Sequence, residues 1–238
     1  MAFQTDKRVF TGTTQRVAAY DEGLRAYMLR VYNYMASGIA LTGIVATLTA
    51  SSPAMMNAIY NTPLHWVVML APLAFVLFLS FGLHRMSFMT AQAVFWAFAA
   101  AMGLSLSYIF AVYTGGSIAR VFFITAGAFA GLSLFGYTTK KDLSGWGSFL
   151  IMGLFGIIIA MIVNWFLASP ALMFAISVIG VLVFAGLTAY DTQNIKNEYS
   201  EHHDHETAGK LAISGALRLY LDFINLFIML LHLFGNRN

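Results

Sequence analysis

Cysteine is absent from this 238-residue chain, and only 10% of its residues are charged. Without cysteine there are no disulfides, no thiolate nucleophiles and no Cys-based zinc or iron–sulfur sites. Soluble domains are about 25% charged and about 45–50% apolar, whereas 59% of this chain is hydrophobic. The composition therefore excludes a soluble enzyme, a disordered chain and a nucleic-acid-binding module, and it indicates a protein embedded in lipid.

Long uncharged runs dominate the chain. Five of them hold 20 to 24 residues without Asp, Glu, Lys or Arg: Val31–Ala50, Leu64–Leu83, Thr90–Tyr113, Gly145–Ala168 and Ala171–Tyr190. About 20 apolar residues suffice to cross the hydrocarbon. Two further runs are less clean, because Val121–Tyr137 is shorter and Leu211–Phe234 contains Arg218 and Asp222. The runs are continuous, not alternating, which predicts an all-α integral membrane protein with seven transmembrane helices in a single domain over residues 1–238.

The first 30 residues differ from the rest in being polar and mixed in charge. They contain no short apolar core followed by a small-residue cleavage site, so they do not resemble a signal peptide. Within Ala18–Tyr34 the apolar residues recur at helical spacing beside charged ones: Tyr20, Leu24, Tyr27, Met28 and Val31. This pattern predicts a polar N-terminal tail with an interfacial helix that leads into the first span.

The distribution of Lys and Arg predicts the orientation. If the N-terminus is cytoplasmic, the inner segments carry ten such residues: Lys7, Arg8, Arg16, Arg25, Arg30, Arg85, Lys140, Lys141, Lys196 and Lys210. The outer segments then carry only Arg120 and Arg237. Because positive charge accumulates on the cytoplasmic side, we expect the N-terminus inside and, after seven spans, the C-terminus outside.

Ionisable side chains within the apolar runs are the candidate functional residues. Each costs about 2.5–3.5 kcal/mol at a helix centre on insertion scales, so partners are expected. Asp222 lies deep in the last run, with Arg218 four residues before it and Asn225 three residues after it, on one helix face. One interpretation is a structural Arg218–Asp222 ion pair buried in the bundle. The other is a carboxylate that lines a path for cations or protons.

Asp191 follows the sixth run, where a solvated helix end is one interpretation. If the sixth helix continues to Ile195 and the seventh starts near Ala216, both aspartates lie one to two turns inside and touch. Two close carboxylates in a low dielectric cannot both be ionised, so they share a proton. Such a pair is a pH sensor or a ligand for a divalent cation, and Arg85 lies on the same side as a candidate latch.

The segment His202–His205 holds three histidines and an aspartate in the loop between the sixth and seventh runs. These side chains are suitable ligands for zinc, nickel or copper. Adjacent residues in a flexible loop rarely complete a metal site alone. We therefore expect a solvated loop.

Several ordered motifs resemble those of a known family. They are Arg30–Thr42, Val112–Gly115, Gly136–Leu143 and, most specifically, Gly186–Gln193 and Leu219–Phe227. Together they resemble the bacterial branch of the Bax inhibitor-1 family, also called transmembrane Bax inhibitor motif proteins. The resemblance extends from about residue 16 to the end of the chain.

The resemblance implies seven helices with the last one at the centre, in a bacterial cytoplasmic membrane. It implies a pH-sensitive calcium leak whose gate corresponds to Asp191 and Asp222, with calcium as a transiently bound, permeant ion and no cofactor. The family's arginine at the cytoplasmic end of the second helix falls near Arg85. Arg218 is not part of that pattern, and with Asn225 it is a candidate modulator.

Two other functions remain open. A non-enzymatic regulator would use the N-terminal tail and the loop His202–Glu206 to bind another membrane protein, such as a protease or a stress-response complex. An intramembrane aspartic protease would also use two aspartates, but its second aspartate normally follows Gly-x-Gly, and Leu219–Leu221 stands there. We therefore expect no enzymatic activity, with the bilayer and calcium as partners and no nucleic acid.

Overall fold

The chain forms a helical bundle. The computed structural model describes the backbone of residues 7–238 and the side chains of residues 20–238. The helices of this part are α1 (Lys7–Ala50), α2 (Pro53–Tyr60), α3 (Leu64–Gly82), α4 (Phe88–Leu106), α5 (Ile109–Val112), α6 (Gly115–Thr138), α7 (Ser144–Leu167), α8 (Pro170–Asn197) and α9 (His205–Phe234). A 3₁₀ turn, Leu83–Arg85, follows α3.

Seven segments are long and apolar enough to cross a membrane: Tyr20–Ala50, Leu64–Arg85, Phe88–Val112, Gly115–Thr138, Ser144–Leu167, Pro170–Asn197 and His205–Phe234. The predicted all-α class and the predicted number of spans are therefore confirmed. The side of the membrane that each terminus faces stays a prediction. Large apolar side chains point away from the bundle, such as Phe81 and Phe166, which are 81% and 82% exposed. In a bilayer these side chains contact lipid.

The expected interfacial helix is part of the first span. From Lys7 to Ala50 the backbone forms one continuous helix. The apolar stripe packs inside the bundle, since Leu24, Tyr27, Met28 and Val31 are all buried. The stripe therefore marks a helix–helix contact, for which the same amphipathic spacing is required. Residues 1–6 of the expected polar tail, and the side chains up to residue 19, lie outside the described part.

The third run is interrupted, although its composition predicts one uninterrupted helix. Helix α4 ends at Leu106, and the short α5 starts at Ile109. At the break the Ser107 hydroxyl donates to the Leu104 carbonyl at 2.7 Å, a local hydrogen bond that competes with the helical pattern. The hydroxyl of Tyr60, at the end of α2, also donates to that carbonyl at 3.1 Å. Helix α2 itself has no counterpart among the predicted spans.

Helix α9 occupies the centre of the bundle, as the family resemblance implies. It packs against α1, α3, α4, α6 and α8. Its side chains Leu219, Tyr220, Leu226 and Leu231 are almost completely buried. A helix that neighbouring helices shield from lipid can carry polar and charged side chains at low cost. The central position of α9 thus explains how Arg218 and Asp222 are tolerated in an apolar sequence.

One end of the bundle, called the basic end below, carries Arg25, Lys140, Lys141, Lys196 and Lys210. There Lys196 Nζ donates to the Tyr137 carbonyl at 2.8 Å, and Lys210 Nζ donates to the Met86 carbonyl at 3.0 Å. Both carbonyls lie at or just beyond a helix C-terminus, where cations are favoured by the helix dipole. Two lysines thus tie α8 to α6 and α9 to the α3–α4 connection.

Helices α6 and α8 approach each other closely at Gly136. A Cβ atom at this position would lie 2.2 Å from the backbone oxygen of Ala189, and backbone cannot move aside as a flexible side chain can. By contrast, a Cβ atom at Gly127 or Gly131 would have no heavy atom within 4 Å. The GxxxG spacing of these two glycines is common at helix interfaces, yet here it faces outward from the described bundle.

The contact at Gly136 generates a stability prediction. Because the added methyl group forces α6 away from α8, we expect Gly136→Ala to lower the free energy of unfolding by about 1–3 kcal/mol. Unfolding in mixed detergent micelles, followed by circular dichroism, measures the change. Gly127→Ala is the matched control on the same helix and should not destabilise the protein. Equal stability of the two variants would contradict the close α6–α8 approach.

Candidate functional site

Asp191 on α8 and Asp222 on α9 lie side by side near the basic end. Their carboxyl groups are neighbours that interact directly. Asp222 is only 5% exposed, and its Oδ2 atom has no hydrogen-bond partner among the described atoms. The structure thus brings together the two aspartates that the sequence singles out. A buried carboxyl oxygen without a protein partner usually binds a proton, water or an ion.

The α8–α9 hairpin sets this register. Helix α8 continues to Asn197, so Asp191 lies well inside the helix and is not a solvated helix end. Helix α9 begins at His205, eleven residues before the expected start near Ala216. Its first turns therefore extend past the end of α8, where the ring of Phe88 covers Gly209. This early start corrects the predicted boundary and places Asp222 deep inside α9.

Arg218 does not form the anticipated ion pair with Asp222. Its Nη2 atom lies 2.5 Å from Oε2 of Glu198, which directly follows α8. Among the described side chains, this is the one salt bridge of Arg218. The guanidinium group is nevertheless close enough for Coulombic attraction to both aspartates. Arg218 therefore sits between a fixed partner, Glu198, and two carboxyl groups that would bind it if that partner were removed.

Sequence reasoning did not identify Glu198, although a signal for it exists. Glu198 follows Asp191 by seven residues, which places both on one face of a helix. The missing step was the length of α8, whose uncharged run ends at Tyr190 while the helix continues to Asn197. Glu198 also carries negative charge into the neighbourhood of Asp191. It belongs to the site as the partner of Arg218.

Tyr27 on α1 completes the surroundings of the pair. Its hydroxyl group is buried without a hydrogen-bond partner and lies near Glu198 and Arg218. Arg218 Nε is also buried and unpartnered. With Asp222 Oδ2, three polar atoms from α1 and α9 thus lack protein partners in one region. Such a set can be satisfied by water or by a hydrated cation.

Hydroxyl groups link the helix that carries Asp191 to its neighbours. Tyr32 on α1 contacts Ser133 on α6 at 2.6 Å, and Ser133 contacts Thr192 on α8 at 2.9 Å. Thr192 donates in turn to the Thr188 carbonyl at 2.7 Å. Because Thr192 directly follows Asp191, this chain of hydroxyls holds the Asp191 segment against α6 and α1.

The other two candidates lie elsewhere. Arg85, at the end of the 3₁₀ turn after α3, is exposed and forms no salt bridge with any described residue. Its role as a latch stays a prediction, because the arginine beside the aspartates in this conformation is Arg218. Asn225 donates from Nδ2 to the Leu221 carbonyl of its own helix at 2.8 Å. It lies one turn from Asp222 without binding it.

The histidine-rich loop has a structural role through its aspartate. Asp204 is the N-cap of α9, and its Oδ2 atom accepts from the backbone N–H groups of Glu206 at 3.2 Å and Thr207 at 3.4 Å. Hydrogen bonding from Thr207 is the main reason that the pKa of Asp204 lies below its usual value. In the described part of the chain, no group of three or more His, Asp or Glu side chains is placed to hold a metal.

The N-cap generates a second prediction. Asp204→Ala should lower the melting temperature, because the first turn of α9 loses its side-chain acceptor. Asp204→Asn should retain most of the stability, since asparagine is an equally good N-cap. His202→Ala serves as the control, because this side chain is 87% exposed. A larger loss in His202→Ala than in Asp204→Ala would assign the stabilising role to the histidines.

Comparisons with known proteins place the chain among bacterial membrane proteins. A family profile described as "Inhibitor of apoptosis-promoting Bax1" matches residues 24–238. The inner membrane protein YbhL of Escherichia coli K12 is 49% identical over 218 residues, which cover 90% of this chain and 93% of YbhL. An uncharacterized protein of Rickettsia prowazekii, RP147, is 49% identical over 225 residues, or 94% of this chain and 95% of the relative. An uncharacterized membrane protein of Streptococcus pyogenes is 32% identical over 220 residues.

Proposed function

The chain belongs to the Bax inhibitor-1 family of multi-pass bacterial inner membrane proteins, and we propose that it is a pH-sensitive calcium leak. In this proposal Asp191 and Asp222 form the gate and the transient cation site. The observation that carries it is the buried Asp222 carboxyl, which lies beside that of Asp191 and has an unpartnered oxygen. Asp222 lies on α9, the helix most shielded from lipid, and Asp191 lies on α8, which packs against it.

Proton sharing would supply the pH sensitivity. Two neighbouring carboxyl groups in a low dielectric hold one proton between them more readily than two negative charges. With the shared proton, a hydrogen bond joins α8 to α9. Without the shared proton, like charges repel across the same contact, and α8 and α9 are held together by their other contacts, such as Glu198–Arg218. The protonation state thereby changes what holds the two helices together.

The chemistry of the pair suits a hard cation. Ca²⁺ prefers carboxylate, carbonyl and water oxygens and takes six to eight of them. Asp191 and Asp222 supply at most four, so water and backbone carbonyls would complete the shell. A partly filled shell favours brief binding, which permeation requires.

Arg218 and Glu198 are the proposed regulators of the pair. In the described conformation Glu198 holds the guanidinium of Arg218. If Arg218 turned to the aspartates, it would neutralise them and compete with a bound cation. Arg85 would act as a latch only in a conformation that brings the end of α3 to the pair.

Proteolysis by the aspartates has less support than ion passage. The residues before Asp222 include Leu219 and Tyr220, whose side chains are fully buried. The glycines of such a protease would stand at positions 219 and 221 and let a substrate strand approach, but Leu219 and Leu221 stand there instead. We therefore propose a non-enzymatic role.

The central test is calcium flux. In proteoliposomes loaded with a calcium indicator, we expect a leak whose rate changes between about pH 5 and pH 8, because the carboxyl pair gains or loses its shared proton in that interval. Asp191→Asn and Asp222→Asn should each give a rate that no longer depends on pH. Asp21→Asn is the matched control, since Asp21 is an exposed carboxylate on α1.

The outcomes separate the candidate functions. A folded protein without flux at any pH would overturn the leak proposal. The regulator would then be tested by deleting residues 1–15, which should abolish binding to a partner membrane protein. A leak with unchanged pH dependence in both Asn variants would support a channel but would show that the two aspartates are not its gate.

The Glu198–Arg218 contact generates a further prediction. In Glu198→Gln, Arg218 loses its charged partner and its attraction to the aspartates increases. Because the positive charge of the released Arg218 stabilises the ionised aspartate pair, the midpoint of the pH-dependent leak should move to lower pH. Glu201→Gln, in the same loop and 55% exposed, should leave the midpoint unchanged. A shift to higher pH in Glu198→Gln would contradict this role of Arg218.

A further inference from the structure

A lateral crevice of about 670 Å³ lies between α1 and α6, away from the aspartate pair. Phe223 of α9 is among its lining residues and is almost fully buried. Leu29 and Leu134, which also line it, are 52% and 62% exposed, so the crevice opens on the outer surface of the bundle. In a membrane this opening faces the lipid.

The volume of the crevice depends on small side chains in its lining. Ala36 of α1 and Ala126 and Ala130 of α6 line the crevice. Larger residues at these positions would fill the space between the two helices. Ala128, on the same helix, is exposed and does not line the crevice.

Polar groups are concentrated toward the basic end. There the lining includes Arg25 and the hydroxyl groups of Tyr32, Ser133 and Tyr137. Among the residues whose side chains are described, no Asp or Glu lines the crevice. The rest of the lining is apolar. The crevice therefore has one cationic, hydrogen-bonding end and a long apolar part, which matches an amphiphile with an anionic head.

An acyl chain suits the crevice better than a transmembrane helix does, because a helix with its side chains is about 10–12 Å wide. A flexible acyl chain is thinner and can follow the gap between α1 and α6.

We propose that the α1–α6 crevice binds an anionic phospholipid of the membrane leaflet at the basic end. One acyl chain lies along Ala36, Ala126 and Ala130, and the phosphate lies at Arg25. Arginine suits this position because its guanidinium forms strong, charge-assisted hydrogen bonds to phosphate oxygens. The tyrosine rings at the same end are typical of side chains at the level of lipid headgroups. This binding site does not depend on the proposed leak.

Native mass spectrometry of the full chain tests the site. The protein is released from detergent micelles after incubation with phosphatidylglycerol or with phosphatidylcholine of identical acyl chains. We expect one retained phosphatidylglycerol and a weaker signal for phosphatidylcholine. Ala130→Phe and the milder Ala126→Leu should remove the retained lipid, whereas Ala128→Phe should retain it.

The contribution of the Arg25 charge to lipid binding is tested separately. Arg25→Gln should reduce the preference for phosphatidylglycerol by about fivefold, as expected for one cation near an anionic headgroup. Lys140→Gln is the control, because Lys140 is exposed at the basic end and does not line the crevice. Melting temperatures verify that each variant is folded.

Three results would overturn the proposal. The first is equal lipid retention in the wild type, Ala130→Phe and Ala126→Leu. The second is no preference between the two phospholipids in the wild type. The third is that a second copy of the chain, and not a lipid, occupies the crevice. The wild type and Ala128→Phe would then form a dimer that Ala130→Phe does not form.

Discussion

A bilayer cannot solvate charge, so every ionisable group within the membrane must find its solvation inside the protein. In this chain the constraint is met by placing the last helix at the centre. Five other helices surround α9, and through them Arg218 and Asp222 are kept away from lipid. The two least buried spans, α3 and α7, are strongly apolar, whereas α9, which carries Arg218 and Asp222, is the most buried. The position of α9 is thus a condition for the site.

Within that shielded region the α8–α9 hairpin determines the chemistry. The same register that brings Asp191 to Asp222 brings Glu198 to Arg218, one to two turns closer to the basic end. Arg218 is therefore held by Glu198, a carboxylate outside the aspartate pair, although Arg218 lies on the same helix as Asp222. This division leaves the paired carboxyls with incomplete hydrogen bonding, which is the physical basis of the proposed gate. Tyr27 adds a hydroxyl group that is also available to water or a cation.

The gate region and the lateral crevice share a structural element. Ser133 lines the crevice and, through its hydroxyl, contacts both Tyr32 and Thr192. Thr192 adjoins Asp191. A lipid that separates α1 from α6 would act on the same three hydroxyl groups that hold α8. Two hydrogen bonds, Tyr32–Ser133 and Ser133–Thr192, therefore connect the lipid-facing crevice to the segment of α8 that carries Asp191.

The class of the protein follows from the sequence alone, because uncharged runs of about 20 residues have only one stable arrangement in lipid. The same runs single out Asp191 and Asp222, since charge within or directly beside them is costly enough to stand out. The partner of Arg218, by contrast, depends on how α8 packs against α9. An i,i+4 spacing favours Asp222, whereas the length of α8 and the early start of α9 bring Glu198 closer. The break at Ser107, the packing of the Leu24–Val31 stripe inside the bundle and the α1–α6 crevice likewise depend on contacts between distant segments. Local periodicity reports which face of a helix is apolar, but not whether that face meets a helix, a headgroup or a lipid chain.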